Sequence, residues 1–465
     1  MKILIPMKHI CAANLIAVLL LAAASSCNNN PGCAPAANGP AEVKDPLEVV
    51  RADRLRACGH EGRYRFEDCG KMTPAPKGYK AFYISHYGRH GSRYAWNPLT
   101  YTFVSEALDK AFEKGVLTQR GRQLYDQYKD FAAVPTIDYG QLTTLGWQQH
   151  EGIARQMYER FPEVFKGKGQ VLARSSTSQR VILSMASFCV SLQKCNPELD
   201  IDCRSLATDL DVTKGISSKA LSKWTAREKG LLESLESVDE VNARLIPTDE
   251  ILSALFTDTS FFGSKKNRDQ FAYRLYEIWC GYHNYTDSDF LEGIFTADQI
   301  AALWEAHNYN DWVAPVIEFG CDVEPLAYDI ELRADEAIAG RCACCSAAGG
   351  CGEGAGCGGK APAADLRFGH DFVVAQVARY LNLNGCYFAP ACADEVKYGF
   401  QDYNIPMGSN LQLIFYRGKG GEADVIFKVL LNGTEATLPQ LEAVGGIYYK
   451  WSDYKAWAAS RRAGK

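Results

Sequence analysis

The sequence predicts an α/β protein whose central sheet is flanked by helices and interrupted by a mostly helical insertion. Apolar runs rich in β-branched and aromatic residues occur toward both ends of the chain, and amphipathic helical segments separate some of them. The middle of the chain, roughly 190 to 320, shows helical periodicity and no convincing strand. Strands that alternate with helices favour a sheet with its ligand at the strands' carboxyl ends.

The predicted core combines five strands with helices. The strands are the runs Ala81–Ser85, Gln170–Ala173, Leu366–Phe368, Leu411–Tyr416 and Val425–Leu431. Between the first two, Ile153, Met157 and Phe161 lie four residues apart on one face of a predicted helix, which Pro162 ends. We therefore expect the α/β core to occupy residues 47–190 and 320–465.

The predicted insertion consists of helices. Apolar residues recur at helical spacing between 267 and 280, and Thr296 with Gln299 has the pattern of a capping box at the start of another helix. We therefore expect a helical cap over residues 191–319.

Composition and charge narrow the class of protein. The chain has 465 residues, 47% of them hydrophobic, which is enough for two lobes around buried cores. Its formal net charge is −5, and no basic run exceeds a few residues. These features argue against a nucleic-acid partner. The sequence does not define an oligomeric state.

The first 27 residues are typical of a bacterial export signal. Lys2 and Lys8 precede an apolar stretch, and small residues precede Cys27, as in a lipoprotein cleavage site. Lipidation of Cys27 would be the only membrane attachment, and ordinary cleavage with release is the alternative. Residues 28–46 are predicted to form a flexible tether. We expect an exported protein, either a periplasmic or outer-membrane lipoprotein or a secreted one.

The 17 cysteines agree with export. Ten scattered cysteines can form disulfides in an oxidising compartment, and Cys58–Cys69 and Cys386–Cys392 are the expected bridges because they are close in sequence. Five more crowd into a Gly/Ala-rich segment within residues 342–360. We expect this segment to be a flexible surface loop. A soft-metal site is the alternative, although the segment lacks histidine and regular Cys-x-x-Cys pairs.

The run Arg89-His90-Gly91-Ser92-Arg93 indicates a phosphate site. It follows the first predicted strand, and each guanidinium offers a planar set of donors that matches phosphate oxygens. An imidazole between two arginines can accept a phosphoryl group on nitrogen. Gly91 is expected to let the backbone approach the substrate.

Two later segments supply the other groups that such chemistry needs. Arg174 follows the second strand, and His370-Asp371 follows the third. Hydrolysis of a phosphate ester through a covalent intermediate requires a nucleophile, cations that neutralise the phosphoryl oxygens, and an acid that protonates the leaving group. No phosphate-binding loop of the Gly-x-x-x-x-Gly-Lys type and no carboxylate cluster suggests a magnesium route.

These motifs resemble those of the histidine acid phosphatase branch of the histidine phosphatase superfamily, which includes phytases and multiple inositol polyphosphate phosphatases. Arg89 to Arg93 resembles the family's Arg-His-Gly-x-Arg, and Arg174-Ser175-Ser176 and His370-Asp371 resemble its later motifs. Leu142 to Gly146 resembles a family helix start. The resemblance spans about residues 78 to 460 and implies a phosphoglycerate-mutase-like α/β sandwich with an inserted helical cap.

The resemblance also implies roles for individual residues. His90 would be the phosphorylated nucleophile and Asp371 the proton donor. The transferred phosphoryl group would be bound by Arg89, Arg93, Arg174 and His370. Arg180 would form a structural ion pair. No cofactor and no metal are implied.

The chain departs from the family pattern at two positions. Ala95 stands where proline is frequent, which would change the pocket rim. His370-Asp371-Phe372 follows the acid phosphatase and phytase pattern, whereas animal inositol polyphosphate phosphatases carry His-Ala-Glu. This second departure bears on positional specificity.

Three functions are compatible with these residues. The leading hypothesis is a phosphomonoesterase that hydrolyses phytate and other inositol polyphosphates with a mildly acidic optimum. The first alternative is a broad acid phosphatase or sugar-1-phosphatase. The second is a metal-binding surface lipoprotein with a vestigial phosphatase fold.

Overall fold

The computed structural model describes residues 45–132, 138–216, 220–287, 291–340 and 361–463. The predicted export signal, most of the tether and the cysteine-rich segment lie outside the described residues. Among the described residues, no helix combines the length and the apolar character that crossing a membrane requires.

Strands and helices alternate along the described chain. The strands are β1 (Lys80–Arg89), β2 (Gln170–Ser175), β3 (Asp200–Arg204), β4 (Ala364–Gly369), β5 (Asn410–Arg417), β6 (Val425–Leu431), β7 (Thr434–Ala436), β8 (Ala443–Val444) and β9 (Tyr448–Lys450). The helices are α1 (Pro46–Ala52), α2 (Pro98–Glu113), α3 (Gln119–Ala132), α4 (Thr144–Arg160), α5 (Gln179–Cys195), α6 (Leu210–Thr213), α7 (Lys223–Leu232), α8 (Val238–Leu245), α9 (Thr248–Leu255), α10 (Lys265–Gly281), α11 (Ala297–Ile317), α12 (Glu324–Ala339), α13 (Asp371–Tyr380), α14 (Val396–Gly399) and α15 (Trp451–Ala463).

The described strands form one sheet in the order β3-β2-β4-β1-β5-β6-β9-β8, with β7 paired to β6. The strands from β3 to β1 run parallel, and β5 and β6 continue the sheet antiparallel. All five predicted strands are confirmed. β1 lies at the centre, and most of its residues are buried because helices cover both faces of the sheet.

One strand contradicts the sequence prediction. No strand was expected between 190 and 320, yet β3 pairs parallel with β2 at the edge of the sheet. β3 has charged residues at Asp200, Asp202 and Arg204, and no residue in it is fully buried. An edge strand of this kind lacks the apolar signal on which sequence prediction depends. The α/β core therefore extends past residue 190.

Helices pack on both faces of the sheet and in a third cluster. One face is covered by α4 and α5, and the other by α12, α13 and α15. A separate helical cluster unites residues of α2 and α3 with those of α9, α10 and α11, for example Val104, Leu252 and Trp304. The sequence predicts a helical cap over residues 191–319. The core of the observed helical cluster also includes α2 and α3, which lie between residues 98 and 132.

The predicted helices form close to their expected bounds. α4 ends one residue before Phe161, and α10 spans the apolar repeat predicted for 267–280. α11 begins with the predicted capping box, in which Thr296 and Gln299 bond each other's backbone. It continues beyond Trp304 to Ile317, and Pro315 lies within its last turn.

The expected disulfides Cys58–Cys69 and Cys386–Cys392 do not form. All nine cysteines of the described residues are free thiols. Cys69 lies against the Asn432 carbonyl oxygen, 3.3 Å from its Sγ, whereas Cys58 forms a hydrogen bond with the thiol of Cys280. Cysteines that are close in sequence are separated because their segments turn toward different layers of the fold.

Candidate active site

The pairing of β1 with β4 brings the two histidine motifs together. Arg89, the last residue of β1, lies opposite Gly369 in parallel register, and the His90 backbone N–H donates to the Gly369 carbonyl at 3.0 Å. The imidazole rings of His90 and His370 lie 5.8 Å apart, centre to centre. The prediction that these motifs meet at the carboxyl ends of adjacent strands is confirmed.

The hydrogen bonds of His90 define its tautomer. Its Nδ1 lies 2.9 Å from the Gly91 carbonyl oxygen, which can only accept, so the Nδ1–H donates. The lone pair of Nε2 is therefore available for attack on phosphorus. Burial and the positive charges of Arg180, Arg89 and Arg93 hold the pKa of His90 well below its ordinary value. The lowered pKa favours the neutral form of this imidazole.

Gly91 is required by packing against α4. A Cβ at this position would overlap the backbone of Gly146, and the reverse substitution at Gly146 would overlap Ser92. Thr143 caps α4 through Gly146 and also donates to the Ser92 carbonyl at 3.0 Å. The close contact between two backbones therefore accounts for a glycine at position 91.

Asp371 forms an ion pair with Arg89. The fully buried guanidinium donates to Asp371 Oδ2 at 2.8 Å and to the carbonyl oxygens of Ile405 and His60. Asp371 is the first residue of α13, and its Oδ1 accepts from the Phe372 N–H at 2.9 Å. Burial disfavours the charged carboxylate, but Arg89, His60 and His370 together hold the pKa of Asp371 well below its usual range.

Arg93 lines the cavity and is paired with Glu61. Its NH2 donates to Glu61 Oε1, and its NH1 donates to the Tyr94 carbonyl at 3.2 Å. Burial opposes ionisation of Glu61, but Arg93 and His60 hold its pKa well below the ordinary value. The carboxylate of Glu61 is already bound to the Arg93 guanidinium, so a phosphate that binds here must displace Glu61 or share the guanidinium with it.

The expectation that Arg174 binds phosphate is wrong in this structure. Its guanidinium is held by Asp329 at 2.6 Å and Asp365 at 3.1 Å, and it does not line the cavity. The same two carboxylates also hold Arg367. Arg174 therefore belongs to a buried ion network that ties β2 and β4 to α12.

Arg180 occupies the position that Arg174 was expected to fill. It is the second residue of α5, lines the cavity, and has no ion-pair partner among the described residues. Its NH1 approaches the Gly140 carbonyl at 3.4 Å, and its guanidinium lies 4.7 Å from the centre of the Trp96 ring. Burial and the nearby Arg93 lower its pKa to about 10. The expected structural ion pair of Arg180 is absent, and this cation is free to bind an anion.

These side chains face a cavity of about 510 Å³. Its wall includes His90, His370, Asp371, Arg93 and Arg180, together with Lys214. The volume lies within the range of small-molecule sites. His370 is held by Ser176, whose Oγ lies 3.1 Å from Nε2, and burial followed by the charge of Arg180 lowers the pKa of His370 to about 3.

Comparison with family models gives one match. Residues 88–242 match the model of the histidine phosphatase superfamily (branch 2). The matched segment contains His90, Arg93 and Arg180, which converge in the cavity. This segment of the chain is similar to that superfamily. No curated protein sequence matched it.

The chain shares its fold with solved structures of an inositol polyphosphate phosphatase and of phytases. The multiple inositol polyphosphate phosphatase of Bifidobacterium longum, in complex with inositol hexasulfate, has a TM-score of 0.67 and 16% identity, covering 88% of this chain and 98% of that one. The phytase of D. castellii has a TM-score of 0.61 and 14% identity over 88% and 86%. A Hafnia alvei phytase has a TM-score of 0.51 and 13% identity over 83% and 98%.

Three residues of the candidate site escaped the sequence prediction. Glu61 lies before the first predicted strand, and Lys214 follows the short helix α6; neither stands in a recognisable motif. Arg180 was noticed but given a structural role. Its position in the first turn of a helix that follows a strand end would have indicated an anion site.

Proposed function

We propose that the protein hydrolyses phosphate monoesters, inositol polyphosphates among them, through a phosphohistidine at His90. The observation that carries this proposal is the free Nε2 of His90 in a cavity where Arg180 has no carboxylate partner among the described residues. The superfamily match supports phosphatase activity. The inositol polyphosphate substrate is supported by the neighbours, one of which was solved with inositol hexasulfate.

The reaction proceeds in two displacements. Nε2 of His90 attacks phosphorus, the bond to the ester oxygen breaks, and Asp371 gives its proton to that oxygen. Arg180, Arg93 and His370 bind the equatorial oxygens, whose charge they stabilise. Water then attacks the phosphohistidine, Asp371 accepts its proton, and phosphate leaves with neutral His90 restored.

Asp371, the proposed proton donor, is expected to become protonated when substrate binds. In the unliganded protein, the ion pair with Arg89 holds the pKa of Asp371 low, so the carboxylate is charged in mild acid. Arg89 does not line the cavity, but a phosphate bound there adds negative charge near Asp371, and this charge raises the pKa of the Asp371 carboxyl group. The acidic optimum expected from the sequence therefore depends on ligand binding as well as on bulk pH.

Replacement of Asp371 by Asn should slow turnover according to the leaving group. For alkyl phosphates, kcat/KM, which reports only the steps up to formation of the phosphohistidine, should fall by about 10²- to 10⁴-fold because the leaving alkoxide needs a proton. For p-nitrophenyl phosphate, whose leaving group is stable as an anion, the loss should stay within about tenfold. Steady-state kinetics on both esters measures the difference. Asp298→Asn, a change at an exposed carboxylate, is the control. Equal losses on both esters would remove Asp371 as the donor.

Lys214 is expected to favour substrates with several phosphates. It lines the cavity and has no ion-pair partner among the described residues. Its positive charge is one of the causes that lower the pKa of His370. Lys214→Ala should raise KM for phytate about tenfold, because a charge-assisted hydrogen bond contributes about 1.5–3 kcal/mol. KM for p-nitrophenyl phosphate should change less than about twofold, since its single phosphate binds at His90.

The control for this residue is Lys419→Ala, a change at an exposed lysine outside the cavity. It should leave both KM values unchanged. If Lys214→Ala raises the two KM values equally, Lys214 belongs to the reacting phosphate's site. If it raises neither, the residue has no part in binding.

Substrate preference distinguishes the proposed function from its alternative. Phosphate release from phytate, p-nitrophenyl phosphate and glucose-1-phosphate should be measured side by side at pH 5. A higher kcat/KM for phytate supports an inositol polyphosphate phosphatase. A preference for the small esters would make the protein a general acid phosphatase, and no release from any ester would contradict phosphatase activity.

We also propose that the enzyme acts outside the cytoplasm, as the signal-like first 27 residues indicate. Mass spectrometry of the N-terminal peptide from membrane and soluble fractions tests this. A diacylglyceryl group on Cys27 supports a lipoprotein, a free N-terminus after the signal supports a secreted form, and an intact Met1 would contradict export.

A further inference from the structure

Four side chains that the proposed reaction does not use converge behind Asp371. His60 is the last residue but one of a 3-10 helical segment before β1, His307 and Asp311 lie one turn apart on α11, and Asp402 begins a short 3-10 turn before β5. One nitrogen or carboxylate oxygen of each lies within 4.8 Å of the corresponding atom of every other. We call these residues the His₂Asp₂ cluster.

The distances within the cluster suit a tetrahedral metal ion. His307 Nε2 lies 3.2 Å from His60 Nδ1, 3.7 Å from Asp311 Oδ2 and 3.9 Å from Asp402 Oδ2. Ligands at 2.0–2.2 Å from a tetrahedral Zn²⁺ lie about 3.3 Å or slightly more from one another. The one shorter contact joins His60 and Asp311, whose side chains are 20% and 19% exposed and can move apart.

The remaining polar atoms of three members are held from outside the cluster. His60 Nε2 faces Glu61 Oε1 at 3.2 Å, and His307 Nδ1 lies 2.8 Å from the Tyr273 hydroxyl. Asp402 Oδ1 accepts from the Trp304 indole N–H at 2.7 Å. Metal ligands in proteins are oriented by outer hydrogen bonds of this kind, which direct the unshared electron pair at the ion.

Asp402 carries a buried oxygen without a partner. Its side chain is 1% exposed, and Oδ2 accepts no hydrogen bond, although it lies 3.9 Å from His307 Nε2 and the Asp311 carboxylate is within reach of a shared proton. Such an oxygen is unfavourable unless a cation or a proton satisfies it. Gly59, at φ 53°, makes the approach possible, because a Cβ at this position would overlap the Asp402 carboxylate. The adjacent residue, His60, is thereby brought to the same oxygen.

We propose that the His₂Asp₂ cluster binds one divalent transition-metal ion, with Zn²⁺ the best match to two imidazoles and two carboxylates. All four ligands line the wall of the catalytic cavity, which provides a path of entry. The ion takes no part in phosphoryl transfer. Coordination through His60 Nδ1 leaves the proton on Nε2, which faces Glu61 and lies 4.0 Å from Asp371 Oδ2. The ion therefore positions a hydrogen-bond donor beside the catalytic acid.

Metal content of the full-length protein tests this proposal. The chain is incubated with Zn²⁺, freed of unbound metal by gel filtration, and analysed by inductively coupled plasma mass spectrometry. The parent should retain one zinc ion per chain more than Asp402→Asn and His307→Gln. Any zinc bound by the cysteine-rich segment 342–357 is present in the parent and in both variants, so it cancels when their zinc contents are subtracted. Asp402→Asn preserves side-chain shape and the acceptor for Trp304, so it should fold.

Matched variants separate the site from nonspecific binding. Asp298→Asn and His283→Gln, which change the same residue types outside the cluster, should retain the parent's zinc. Zn²⁺ should raise the Tm of the parent and of these controls, but not that of Asp402→Asn. With Co²⁺, the parent should show visible bands of a tetrahedral site that His307→Gln lacks.

The outcome is independent of the proposed function. His90→Ala should retain the full zinc content, even though it removes turnover. Equal zinc in the parent and in Asp402→Asn, with circular dichroism showing both to be folded, would overturn the proposal. The cluster would then be a metal-free network in which Asp311 and Asp402 share a proton.

Discussion

His90→Ala should reduce turnover by about 10⁴-fold or more on every phosphate monoester, because it removes the atom that accepts the phosphoryl group. The other groups that bind phosphate remain in place, so KM should change less than kcat. Steady-state kinetics with p-nitrophenyl phosphate and phytate measures the loss. The loss should be large for both esters, since both transfer their phosphoryl group to the same nitrogen.

A direct observation of the intermediate accompanies this kinetic result. Rapid quenching of the parent with ³²P-labelled substrate should yield a phosphoprotein that is labile in acid and stable in alkali, as expected of phosphohistidine. His90→Ala should yield none. His283→Gln, in a histidine outside the cavity, should keep both the label and the activity. Label on another residue, or activity within tenfold of the parent in His90→Ala, would contradict the nucleophile assignment.

Arg180→Ala should lower kcat/KM by about 10²- to 10³-fold without destabilising the fold. Its guanidinium faces the cavity with no carboxylate partner among the described residues, and stabilising groups of this kind contribute most in the transition state. The pKa of His90 should also rise toward its ordinary value, because a nearby positive charge is lost. The acid limb of the pH–activity profile should then shift to higher pH. Kinetics between pH 4 and 7, together with thermal denaturation, checks these results.

Arg174→Ala should give the opposite pattern. This substitution leaves the buried Asp365 with fewer partners, and removing one member of a buried ion network costs about 3–5 kcal/mol. We therefore expect a large fall in the free energy of unfolding, measured by urea denaturation. Protein that remains folded should keep kcat within about tenfold of the parent.

Arg122→Ala, at a half-exposed surface arginine, is the control for both changes. It should alter neither kcat/KM nor the free energy of unfolding by a measurable amount. A larger kinetic loss in folded Arg174→Ala than in Arg180→Ala would restore the assignment implied by the family motif.

Much of the sheet could be predicted because its strands are strongly apolar. β1 and β5 are buried on both faces, and their sequences contain the apolar runs Phe82 to Ile84 and Leu411 to Tyr416, the latter interrupted only by Gln412. β3 was missed because an edge strand with Asp200 and Arg204 needs no such run. The composition of the helical cluster could not be predicted either, because the contact between α2 and α10 joins segments more than 150 residues apart.

The sequence by itself determined which chemical groups are available and where two of the three motifs meet. His90 and His370-Asp371 each follow a strand that is buried and parallel to its neighbour, so topology alone brings them to one edge of the sheet. Only the tertiary structure decided which arginine is paired with carboxylates and which one faces the cavity. Arg174 and Arg180 are six residues apart in one motif, yet Asp329 and Asp365 neutralise the first and leave the second facing the cavity. The convergence of His60, His307, Asp311 and Asp402 was likewise decided by folding. Ion pairs and metal-ligand sets depend on distances of a few ångströms between distant segments, and no local pattern of residues encodes such distances.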